Sequence, residues 1–290
     1  MQLFCTVGMV SAEEESTLSI IEYTNEDGSI TYNIKNVKNY LNQRNRTIGS
    51  NIDKSTTVLK ALQYSDEEIS KMSSEQIYDY TYIEEAYVTQ TTAYVQDEYE
   101  SEHSHMNKLT IWSRVIRTGE TIASNDGTCH VYRLIGDVQY DTFTGNGWIP
   151  QTREKDIMVF AWSGNNIIVN GSRKGTMICD VIDFWNHGYK YTAYNYLGSS
   201  RFIDEYPPLG NGWGVRYDLP NNSPINGYVN FKLTSEIEIA ALNNFNFYHE
   251  YAHRTIIGDV SVSVGTSGVI DIGTNGTDVA KAPVIGVFIP

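Results

Sequence analysis

The sequence predicts a mainly β protein, an antiparallel sandwich preceded by a short, acidic, partly helical segment. From Lys108 onward, nine short runs rich in β-branched and aromatic residues follow one another, from "KLTIWSRVIR" and "CHVYRLIGDVQY" to "DVSVSVG" and "GVIDIG". Gly, Asn and Asp clusters such as "SGNN", "PNNSPING" and "GTSG" separate them at hairpin length. Almost no helical periodicity lies between the runs, which argues against a βαβ fold.

Taken in order, residues 1–12, "MQLFCTVGMVSA", are apolar and uncharged and end in Val10-Ser11-Ala12 before three glutamates. Small residues at the last and third-last positions suit a signal peptidase, so we expect a signal-peptide remnant and a secreted, extracellular protein. Residues 13–105 form the acidic segment. In "STTVLKALQYSDEEISKMSSEQIYDY", Ser55 is placed to cap a helix carrying Val58, Leu59 and Leu62 on one face. Ser65 with Glu68, and Ser73 with Gln76, are capping boxes for two further short helices. Tyr64 to Glu102 holds eleven acidic residues against one lysine, a solvated face that carries most of the charge imbalance. Residues 106–290 then form the sandwich.

Composition narrows the function classes. With 41% hydrophobic and 19% charged residues, the chain is too apolar for disorder, and no run is long enough for a transmembrane helix. A net charge of -14 repels nucleic-acid phosphate and anionic lipid, so a nucleic-acid partner is not expected. Removal of Cys5 with the leader leaves Cys129 and Cys179, an even pair in an exported protein and therefore a disulfide candidate.

The segment "NFNFYHEYAHRTII" contains His249, Glu250 and His253 in the H-E-x-x-H spacing of zinc peptidases. On a helix that spacing brings both imidazoles to one zinc and sets the glutamate over its water. Here the residues alternate apolar and polar with period 2, from Phe245 and Phe247 through Tyr251 to Ile257, which is the pattern of a half-buried strand. Strand geometry sets residues four apart about 13 Å from each other, too far for a shared ion. No glutamate follows Glu250 to serve as a third ligand. We therefore expect no metal or other cofactor and no catalytic residue; zinc peptidase chemistry through Glu250, His249 and His253 is the alternative.

A second chemistry lies between Asp183 and Tyr217. Trp185, Tyr189, Tyr191, Tyr194, Trp213 and Tyr217 are interleaved with Gly and Pro, including "GNGWG", which reads as a loop. Rings with polar tips on such loops suit a carbohydrate or cell-envelope ligand. A third reading comes from "DVSVSVGTSGVIDIG", whose Val/Ser alternation across a turn is also that of insertion hairpins in β-pore-forming toxins. The signal-like start, the helical "TTVLKALQYSDEEISKMSSEQI" and "NFYHEYAHRT" together resemble uncharacterised secreted proteins of Gram-positive, clostridia-like bacteria. That resemblance implies secretion and a β-sandwich, and supplies no site residue. The expected function is a secreted, non-enzymatic sandwich that binds an envelope, glycan or host ligand through aromatic loops.

Overall fold

Two antiparallel sheets face each other across the main core. A computed structural model describes residues 18–35, 37, 48–78, 80, 83–97, 105–140, 155–183, 188–195, 203–206, 209–218, 227–254, 261–273 and 277–289. The nine-stranded sheet begins with β1 (Ser19–Thr24), β2 (Ile30–Lys35), β3 (Glu85–Asp97), β4 (His105–Ser124) and β5 (Gly127–Tyr140). It continues through β12 (Gly227–Ala241), β8 (Lys174–Asp183) and β9 (Gly188–Asn195), with β7 (Ile167–Ile168) also on β12. The six-stranded sheet runs β10 (Ile203–Glu205), β11 (Gly212–Tyr217), β6 (Asp156–Trp162), β13 (Phe245–Arg254), β16 (Thr277–Lys281), with β17 (Ile285–Val287) on β13. The hairpin β14 (Val262–Val264) and β15 (Ile270–Ile272) forms a third, two-stranded unit. The expected sandwich is the observed one.

Alternation sets the layers. On β4, Leu109, Ile111 and Val115 enter the inter-sheet core with Leu134 and Val138 of β5, Leu233 and Ile237 of β12, and Phe160 and Phe247 of the smaller sheet. The opposite face of the large sheet buries Ala86, Val88, Ile116 and Ile135 beneath α1 (Ile48–Ala61), α2 (Asp66–Lys71) and α3 (Ser74–Tyr78); Val58 and Leu59 of α1, Leu62 just past its end and Ile69 of α2 complete a second core. A third, smaller core lies outside the six-stranded sheet, where Ile270 and Ile272 of the hairpin meet Ile157, Val159 and Ala252.

The inner face of the large sheet carries a transverse row of small residues, Thr89, Ser113, Gly136, Ser235 and Gly175, in register across β3, β4, β5, β12 and β8. Aromatic groups of the other sheet fill the space this row leaves. A Cβ on Gly136 would stand 2.5 Å from Phe160 Cε1 and 2.7 Å from His249 Cε1. Tyr217 hydroxyl meets Ser235 Oγ at 2.8 Å and donates to the Thr234 carbonyl at 2.7 Å. Large rings over small residues is how two facing sheets reach interior packing density.

The acidic segment differs from its expected form in two ways. It supplies β1, β2 and β3 to the large sheet as well as helices. Ser55 is buried inside α1 rather than at its start, because the helix begins at Ile48. Ser65 does cap α2: its side chain accepts from Glu68 N, and Glu68 Oε2 accepts from Ser65 N at 2.7 Å. Ser73 and Gln76 make the equivalent pair at α3. The signal-like residues 1–12 lie outside the described residues.

Candidate functional site

The H-E-x-x-H residues sit on β13, an extended strand. His249 and His253 share the inner face, whereas Glu250 lies on the outer face opposite Lys281 of β16. The two imidazoles have different partners. His249 Nδ1 lies 2.9 Å from Ser113 Oγ across the core, and burial pushes its pKa down to about 3 against a small opposing effect of the Trp112 backbone. His253 Nδ1 lies 3.1 Å from Asp156 Oδ2 and 3.2 Å from Tyr140 hydroxyl. Tyr251 donates to the same Asp156 oxygen and meets Tyr140 hydroxyl at 2.7 Å. All four of these side chains are fully buried, so they form a closed polar knot within the core. Glu250 accepts from Lys281 Nζ at 2.8 Å, and desolvation raises its pKa. The side chains that a zinc peptidase needs together therefore stand on opposite faces of one sheet, with the histidines about 13 Å apart.

The aromatic set divides. Trp213 and Tyr217 are not on a loop: "GWGVRY" is β11, and both side chains are buried in the inter-sheet core. Trp213 packs edge-on against Phe160, and its indole donates to Glu205 Oε1 at 2.9 Å. This corrects the reading of "GNGWG" as a loop. A Cβ at Gly212 would stand 2.8 Å from the Phe160 carbonyl oxygen and one at Gly214 2.9 Å from Tyr206 Cβ, so these glycines permit close approach of neighbours. Tyr189, Tyr191 and Tyr194 lie on β9, opposite Ile182, Asp180 and Met177 of β8. Trp185 lies outside the described residues.

The cysteine pair is also corrected. Cys129 is a free, buried thiol. On β12, Phe231 pairs with Cys179 and Ala241 pairs with His130, the neighbour of Cys129. At about 3.3 Å per residue the two cysteines are separated by roughly 30 Å along the sheet, well beyond the span of a disulfide. The Val/Ser hairpin β14–β15 lays Ile270 and Ile272 against the six-stranded sheet.

A surface that the sequence reading did not single out is better formed. The described helices cover one part of the outer face of the large sheet, and the adjoining part, from exposed Tyr94 and Thr92 to half-buried Thr110 and Gln139, lies beyond them. Register places Thr92, Thr110, Gln139, Lys232 and Ile178 in one row across β3, β4, β5, β12 and β8. Beside it, Gln90, Trp112, Asp137, Thr234 and Thr176 form a second row nearer the helices. On the other side stands Tyr94, whose side chain is 59% exposed. Trp112 is half-buried.

The helical edge forms a wall to this floor, and a charge network fastens it. Lys232 Nζ contacts Glu68 of α2, lies 3.5 Å from Asp137 Oδ2, and sits over the rings of Tyr64 at 5.6 Å and Trp112 at 6.0 Å. Desolvation pulls the Lys232 ammonium down to about 8, while the two carboxylates beside it favour the charged form. Asp137 is also paired with Arg114 and accepts from Thr234 Oγ1. Arg114 in turn donates through Nε to the Leu62 carbonyl at 2.7 Å and stacks on Tyr64 at 4.2 Å. A fully buried arginine thus ties the end of α1 to the sheet. The signal for this face was present in "KLTIWSRV": Lys108, Thr110, Trp112 and Arg114 alternate with Leu109, Ile111 and Ser113, which puts a tryptophan on the polar side of a strand.

Among the described residues no helix is long and apolar enough to cross a membrane. No protein-family model matches the chain, and no curated protein does. Among solved structures it is similar to the T6 backbone pilin of serotype M6 Streptococcus pyogenes, at 9% identity and a TM-score of 0.29 over 71% of this chain and 59% of the pilin. It is similar to the collagen binding domain of Erysipelothrix rhusiopathiae surface protein RspB, at 10% identity and 0.27, over 70% of this chain and 67% of that one. A pore forming protein matches at 11% identity and 0.21, over 67% and 90%. The chain spans about three fifths of the pilin's length. Similarity at this level is distant and assigns no activity to this chain.

Proposed function

We propose that the protein is an exported β-sandwich that binds a cell-envelope or host ligand on the open outer face of its large sheet, without catalysis. The observation that carries this reading is the pairing of two aromatic rings outside the core, Trp112 and Tyr94, with rows of hydroxyl and amide side chains on one flat surface. An apolar ring with polar neighbours on a rigid sheet is what a polymeric ligand needs for both contact area and orientation. Export is supported by the signal-like "MQLFCTVGMVSA". Tyr189 and Tyr191 stand on β9, in register with Ile182 and Asp180. Trp213 and Tyr217 take no part, because they are core residues.

The test is retention of the purified chain on bacterial envelope and extracellular-matrix preparations, comparing the parent with Trp112→Ala and Tyr94→Ala. Binding that weakens in both variants, at unchanged melting temperature, is the expected result. Equal retention of parent and variants on every preparation overturns the proposal.

A further inference from the structure

Resting on that reading, we infer that the ligand is an uncharged polysaccharide lying across the strands, along the row Thr92, Thr110, Gln139 and Lys232. Neighbouring strands are about 4.8 Å apart, so Thr92, Thr110 and Gln139 present one hydrogen-bonding side chain on each of three successive strands, at a pitch close to the length of one pyranose unit in an extended glycan, while Lys232 closes the row with its ammonium turned to Glu68 and Asp137. The register makes these four residues consecutive across β3, β4, β5 and β12. Trp112 lies two residues from Thr110 on β4, and Tyr94 two residues from Thr92 on β3, so the rings flank the row on opposite sides. A sugar ring has an apolar face that stacks on such aromatics and an equatorial rim of hydroxyls that meets Thr and Gln side chains.

Charge decides against an anionic polymer. Lys232 is paired with Glu68 and Asp137, and Asp137 is paired with Arg114, so the charges at the helix side of the row are neutralised within the protein. The chain as a whole carries -14 and repels sulfated or phosphorylated chains. Geometry decides against an extended peptide, which binds by adding its backbone to a sheet edge; the middle of a sheet face has no backbone donor or acceptor to offer.

The experiment uses the full chain in pull-downs on insoluble cellulose, chitin and β-1,3-glucan, with heparin and gelatin resins as the anionic and peptide arms. Expected is retention on at least one neutral polysaccharide, unchanged by raising salt to about 0.5 M, where surface electrostatics is screened within a few ångströms. Gln139→Ala, which removes one hydrogen-bonding group from a surface position, should weaken that retention about fivefold without changing the melting temperature. Retention on heparin or gelatin alone, or on none of the five, overturns the assignment. Envelope preparations separate the two levels of argument. If Trp112-dependent binding survives periodate oxidation of the preparation but not proteolysis, the surface stands and the glycan does not; if binding ignores Trp112, the surface itself falls.

Discussion

Gly136→Ala tests how the two sheets are packed. The added Cβ meets Phe160 Cε1 at 2.5 Å, Phe160 Cζ at 2.7 Å and His249 Cε1 at 2.7 Å, about 1 Å inside ordinary carbon contact. Neither ring can simply swing away: Phe160 is held edge-on by Phe247 and Trp213, and His249 by Ser113. Overpacking of this kind costs about 1–3 kcal/mol, and the lower chain entropy of alanine in the unfolded state returns about 0.4–1 kcal/mol. A net loss of about 1–2 kcal/mol follows, a fall of roughly 2–3 °C in melting temperature at this chain length. Urea unfolding should show a lower midpoint at constant slope. Phe160→Leu trims the clashing ring, so in a double-mutant cycle the pair should couple by at least about 0.5 kcal/mol. An alanine variant as stable as the parent, or effects that simply add, would refute large-over-small packing at this row.

Other outcomes follow from the buried charges and from the cysteines. His249 is held neutral down to about 3, whereas an unfolded histidine protonates near 6.5. The unfolded state therefore binds the extra proton, and this residue's contribution to stability is complete above pH 6.5 and declines toward pH 3 by up to about 5 kcal/mol. His249→Asn should flatten that part of the stability-pH curve, measured by urea midpoints. Glu250 has the opposite sign, since its raised pKa means that stability is full below the unfolded carboxylate value near 4.5 and is lost as pH rises; Glu250→Gln should raise the midpoint at pH 7 and leave it unchanged at pH 4. Arg114→Met leaves Asp137 buried beside a missing partner and should cost about 3–5 kcal/mol by chemical denaturation, much of it recovered in Arg114→Met/Asp137→Leu. Alkylation of unfolded, unreduced protein should label both Cys129 and Cys179, as read by intact mass.

Long strands with clear alternation were readable from sequence alone: β4, β5, β12 and β13 send alternate side chains into the inter-sheet core, and their runs stand out. Two capping boxes were equally plain, because a Ser/Glu or Ser/Gln pair three apart is a local signal. What escaped was decided at a distance. The strand β11 was hidden by Gly212 and Gly214, which suggest a turn in sequence but serve close approach to Phe160 and Tyr206. Short elements such as β10 and β17 have too few residues to show a period. Aromatic density also misled: Trp213 and Tyr217 alternate with Val215 on a core-facing side, while Trp112, in a run that looks like any other strand, takes the polar side. Whether a tyrosine or tryptophan points in or out depends on which face its neighbours choose. The charge network through Arg114, Asp137, Lys232 and Glu68 joins four separate elements, and no spacing announces it.

The order of pairing in the large sheet has a bearing on how the chain reaches its native state. Strands β1 to β5 follow one another as a simple meander, each zipping onto the one just made. The next partner of β5 is β12, so the seam joining His130–Gln139 to Lys232–Ala241 waits until most of the chain has emerged. Non-local pairing of this kind is slow. During that interval the flank of β5 is a raw template, and a nascent or truncated polypeptide that stops short of residue 227 would offer it to any strand at hand, which makes early termination a route to aggregates rather than to a smaller working fragment.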